Sequence, residues 1–69
     1  MDPIRARNIR PLITLYDGSS GETVFVERVN RTEDAVTIHG ILFMGGHAFD
    51  GYEYTYDPDD GALYELPRH

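Results

Sequence analysis

Apolar and polar side chains alternate with a period of two along most of this chain, and clusters of turn-forming residues interrupt the alternation at short intervals. The clusters are Asp17-Gly18-Ser19-Ser20-Gly21, Asn30-Arg31-Thr32-Glu33-Asp34, Met44-Gly45-Gly46-His47 and Asp57-Pro58-Asp59-Asp60-Gly61. Each supplies residues that accept positive φ or bond their own backbone. Between them lie runs rich in Val, Ile, Thr, Tyr and Phe: Leu12–Tyr16, Glu22–Asn30, Ala35–Phe43, Phe49–Asp57 and Ala62–Leu66. Such residues suit half-buried pleated surfaces. Short connections pair neighbours antiparallel. The pattern therefore predicts an all-β fold, a five-stranded antiparallel meander curled toward an SH3-like or other small barrel.

Helix is nearly absent from this reading. Only Asp2–Arg10 offers one helical turn, with Asp2 as cap, Pro3 at the first helical position and Pro11 as its end. Residues 1–11 accordingly read as an N-terminal arm, 12–66 as the single domain and 67–69 as a C-terminal tail.

Period-two alternation also assigns faces. Val24 and Val26 share a face with Arg28, opposite Thr23, Phe25, Glu27 and Val29. Val36, Ile38, Gly40 and Leu42 align opposite Thr37, His39, Ile41 and Phe43, and Tyr52, Tyr54 and Tyr56 line one side of their strand. The expected core is Leu12, Val24, Val26, Val36, Ile38, Leu42, Tyr54 and Leu63, with Phe25 and Ile41 partly covered. Gly40 and Gly51 sit inside strands, where glycine marks a bend, a bulge or a close backbone approach.

Composition narrows the function. The 69 residues allow one small domain, and the absence of cysteine excludes a disulfide scaffold or a cysteine-ligated zinc module. No run of 18 apolar residues exists to span a membrane. The arginines of Met1–Arg10 have no apolar stretch behind them, unlike a secretory signal, so a cytoplasmic location is expected. Twelve carboxylates against six arginines and no lysine give a net charge of −6. That balance also fits an accessory protein of a halophile whose acidity only keeps it soluble. The charge is uneven: residues 1–34 are nearly neutral, while residues 35–69 hold Asp50, Glu53, Asp57, Asp59, Asp60 and Glu65 against Arg68 alone.

Candidate chemistry is sparse. Nothing in the spacing links Ser19 or Ser20 with His39, His47 or His69, so no catalytic activity is expected. Asp57, Asp59 and Gly61 imitate the start of a calcium loop, but Glu65 comes too early for the closing bidentate ligand. A tight turn is the expectation there, and no metal or other cofactor is expected. Tyr54–Leu63 resembles one unit of the YD repeats of bacterial toxin shells: Tyr-x-Tyr-Asp, a short turn, Gly, a variable residue and Leu. Ala62 stands at the variable position, where those repeats usually carry arginine. The resemblance covers about ten residues and implies a hairpin at Asp57–Gly61.

Binding remains. Tyr52, Tyr54 and Tyr56 with Asp50, Glu53, Asp57, Asp59 and Asp60 form an acidic, aromatic half suited to a protein partner with a basic surface. A rival reading is a barrel that binds single-stranded nucleic acid, stacking bases on the tyrosines and holding phosphate with Arg5, Arg7, Arg10, Arg28 and Arg31. The carboxylates around the tyrosines argue against it. Self-association through an open sheet edge is a further expectation.

Overall fold

A computed structural model describes residues 1–67; Arg68 and His69, in the segment read as a tail, lie outside the described residues. The order of elements is β1 (Asp2–Ile4), a 3₁₀ turn (Ala6–Asn8), β2 (Thr14–Asp17), β3 (Glu22–Arg31), β4 (Val36–Met44), β5 (His47–Tyr56) and β6 (Leu63–Glu65). All pairings are antiparallel, and the strands form one sheet in the order β1-β6-β2-β3-β4-β5. The all-β reading holds. The strand number is six rather than five, and the sheet curls without closing into a barrel, because β1 and β5 remain at its two edges.

The meander β2–β3–β4–β5 follows from its turns. Asp17 Oδ1 accepts from the Ser19 amide at 2.8 Å, and Thr32 Oγ1 accepts from the amides of Asp34 and Ala35. Met44 faces His47 across the two-residue loop Gly45-Gly46. A tight turn also forms where the YD-like segment implies one, with the Asp60 amide donating to the Asp57 carbonyl at 3.0 Å. The implied hairpin does not form. β6 crosses to pair with β2 and β1, and β5 has no ladder with it.

One face of the sheet converges on a single core of Ala6, Ile9, Ile13, Leu15, Val24, Val26, Val36, Ile38, Leu42, Tyr56 and Leu63. Six expected core residues are among them, while Phe25 and Ile41 are half-buried. Leu12 and Tyr54 are corrections. Leu12 is 57% exposed with φ of 69°, because the chain turns at Pro11–Leu12 and sets β2 in the phase that buries Ile13 and Leu15. Tyr54 shares the inward face of β5 yet is 46% exposed, and Tyr56 takes the buried place.

The segment before Leu12 belongs to the same packing. Ala6 and Ile9 are fully buried, and β1 pairs with β6. Its helical turn is confined to Ala6–Asn8, and Asp2 and Pro3 lie in the strand rather than capping it. The amides of Ala6 and Arg7 donate to the carbonyls of Asp60 and Pro58, each at 3.0 Å.

Two irregularities bend the long strands. One lies in β3 between Val26 and Arg28, so Glu27 and Arg28 are both exposed and Val29 returns to the core side, against the simple alternation. The other lies opposite Gly40–Leu42, where β5 holds one extra residue and Gly51 takes φ of +76°. An added residue with glycine in the left-handed region bends a strand and strengthens its twist. Among the described residues no helix is long and apolar enough to cross a membrane.

Candidate functional site

The three tyrosines of β5 face the strand positions that carry the core, opposite Gly40, Ile38 and Val36. Their rings form a row. Tyr52 and Tyr54 lie parallel with centroids 6.4 Å apart, and Tyr54 meets Tyr56 at 4.7 Å with the planes tilted by 60°. Tyr56 is buried, Tyr52 half-buried and Tyr54 open to solvent. The row thus runs from the interior to the surface.

The curl of the sheet brings distant carboxylates to this row. The Tyr56 hydroxyl donates to Asp17 Oδ2 at 3.3 Å, joining β5 to the end of β2. Burial, and then the Asp17 carboxylate, push the Tyr56 phenol far above its ordinary value. Burial also raises Tyr52, with Glu22, Tyr54 and Asp17 adding to it. Asp17 and Glu22 therefore belong to the electrostatics of the tyrosine row. In the sequence they belong to a distant hairpin, and only the long-range curl brings them near.

The raised Tyr56 phenol gives a pH dependence with a definite sign. In the unfolded chain this phenol ionises near 10.0, while in the folded protein it stays protonated to higher pH. Its contribution is fully present below pH 10 and is lost as pH rises beyond that, at about 1.4 kcal/mol per pH unit until the folded phenol ionises. Tyr56→Phe should make the alkaline decline shallower in urea titrations between pH 9 and 11.5. An unchanged alkaline slope would contradict the burial of this hydroxyl.

Asp50 and Glu53 are exposed on β5, Asp50 beside the Gly51 irregularity. Glu53 Oε1 lies 3.3 Å from His39 Nδ1, and His39 Nε2 lies 3.5 Å from Asn30 Nδ2. The remaining acidic candidates serve the crossing from β5 to β6. Asp57 Oδ1 accepts from the Asp59 amide at 2.9 Å, and Asp60 Oδ1 accepts from the Ala62 amide at 3.1 Å. Asp59 forms an ion pair with Arg7, and its carbonyl accepts from Arg5 at 3.3 Å.

Most of the candidate arginines have partners within the protein. Arg5 and Arg7 fasten the N-terminal segment to the Asp57–Gly61 turn. Arg10 pairs with Glu65 at 2.7 Å, and Arg31 Nε donates to the Arg7 carbonyl at 3.0 Å. Arg28 projects from the β3 irregularity, on a shallow cleft that Glu27, His39, Gly40, Gly51 and Tyr52 also line. Four of the five candidate nucleic-acid contacts are thus engaged within the protein, and Glu27 adjoins the fifth.

The two described histidines have different surroundings. His39 faces Glu53 and Asn30, and His47 lies against Phe49 with ring centroids 6.3 Å apart. Ser20 Oγ accepts from the Glu22 amide at 3.3 Å. Among the described residues no three His, Asp or Glu side chains converge as a metal ion requires. Comparison with protein-family models, curated proteins and solved structures gives no match.

Proposed function

We propose that this protein is a non-enzymatic interaction module that takes a basic protein surface through the acidic, tyrosine-bearing strand β5. The observation that carries the reading is Tyr54. Its ring is open to solvent, rests on Tyr52 and Tyr56, and is flanked in sequence by Glu53 and Thr55, both exposed. A supported aromatic ring loses little freedom on binding, and tyrosine is among the residues that most often dominate interfaces. Its π-face attracts an arginine or lysine head, and nearby carboxylates strengthen that attraction. Asp50 and Glu53 supply this charge. Asp57, Asp59 and Asp60 extend the acidic field while they hold the adjacent turn.

The test separates these roles. Tyr54→Ala should weaken capture of basic proteins from a lysate roughly tenfold or more, as loss of a tyrosine hot spot does. Asp50→Lys with Glu53→Lys should weaken it further and remove its salt dependence. Asp59→Lys is a poor probe, because it sets a lysine against Arg7 and disturbs the fold. Quantitative mass spectrometry of the captured proteins reads the result. Equal retention of the same proteins by wild type and both variants would overturn the reading.

A further inference from the structure

The free edge of β5 extends this reading, and the inference rests on it. β5 has ten residues and among the described residues is paired only with β4, so its other side presents backbone donors and acceptors that no described strand pairs. The opposite edge of the sheet is β1, which has three residues, one of them Pro3. Such an edge accepts strands poorly, since it is short and lacks a donor. From Tyr52 to Tyr56 the pairing of β5 with β4 is one-to-one, so this stretch is regular. The irregularity at Gly51 bounds it on one side and the Asp57–Gly61 turn on the other.

We propose that Tyr52–Tyr56 receives an extended basic segment of a partner protein as an added seventh strand. Charge selects the occupant. Sheet edges commonly resist unwanted pairing by carrying lysine. Here no lysine or arginine occurs between residues 32 and 67, and the edge carries Asp50 and Glu53, with Asp57 just beyond it. A second copy laid antiparallel along β5 would put two sets of these carboxylates on one seam, and like charges across a strand pair destabilise it. A strand with arginine at alternate positions can turn those arginines to the Glu53 face, where the carboxylates meet them favourably, and its apolar residues to the tyrosine side, against the Tyr54 ring. Backbone pairing then supplies affinity, and the carboxylates and Tyr54 supply the choice of side chain.

Two labelled eight-residue peptides of alternating arginine and valine test this, one ordinary and one N-methylated at every backbone amide. Both carry the same charge, but the second cannot donate to a sheet edge. Fluorescence anisotropy with the full chain should show the ordinary peptide binding at least tenfold more tightly. On its addition, hydrogen exchange by NMR should slow at amides within Tyr52–Tyr56. Equal binding of both peptides would overturn strand addition and leave the charge-based reading standing. Binding of neither would overturn both. Sedimentation of the free protein as a dimer with those amides already protected would assign the edge to a second copy and overturn the basic occupant.

Discussion

Gly40→Ala should cost about 3 kcal/mol or more, a large share of the stability of a domain this small. A Cβ built on Gly40 falls 2.0 Å from the Phe25 carbonyl oxygen and 3.2 Å from Val26 Cα. Both are backbone atoms of the neighbouring strand, so no side-chain rotation relieves the overlap, and β3 and β4 must separate. These strands share a ladder that runs from Thr23–Phe43 to Arg31–Val36, as long as the one between β4 and β5. Gly51→Ala is the control. Its Cβ meets nothing within 4 Å, and only the φ of +76° opposes it, so its cost should stay near 1–2 kcal/mol. Urea unfolding of the two variants should therefore give clearly different midpoints. Equal, small shifts would mean that β3 and β4 approach less closely at Gly40.

Ile9→Ala should cost about 3 kcal/mol, as much as Ile38→Ala in the central strand β4. Ile9 is fully buried and among the largest such side chains. Its amide donates to the Ala6 carbonyl at 3.1 Å, and the amides of Ala6 and Arg7 bond the crossing between β5 and β6. Truncation opens a cavity that these fixed contacts cannot collapse into. A cost below 1 kcal/mol would instead make residues 1–9 peripheral to the core. Thermal or urea unfolding of the two alanine variants side by side decides between these outcomes.

The contrast between those positions shows what the sequence discloses. β3 and β4 were legible because alternation and local turns act over a few residues. Val24, Val26, Val36, Ile38 and Leu42 are buried as their spacing predicts. The glycines inside strands also carried their meaning, Gly40 as a close approach and Gly51 as the added residue. Strand β1 was not legible. Asp-Pro-Ile has poor strand propensity, and it is extended because β6, some sixty residues away in the chain, pairs with it. The phase of β2 was equally hidden, since Leu12 and Ile13 are both apolar and only the turn at Pro11–Leu12 decides which points inward.

The candidate site divides in the same way. A period of two sets the three tyrosines on one face, as read. Their unequal exposure is a tertiary result: Asp17 and the end of β2 meet Tyr56, while Tyr54 stands above it. Sequence could not pair Arg7 with Asp59 or Arg10 with Glu65, because more than fifty residues separate each pair. Those contacts turn residues that look like loose charges into fasteners, and they leave Asp50 and Glu53 as the acidic groups at the open edge.

Asp2 faces Glu65 across the β1–β6 ladder, and β5 lies at the far margin of the sheet. Anything tethered at the front or rear of the described chain, whether a fused globule, an affinity handle or a bead, therefore hangs from the β1–β6 margin and leaves strand β5 out of both connections.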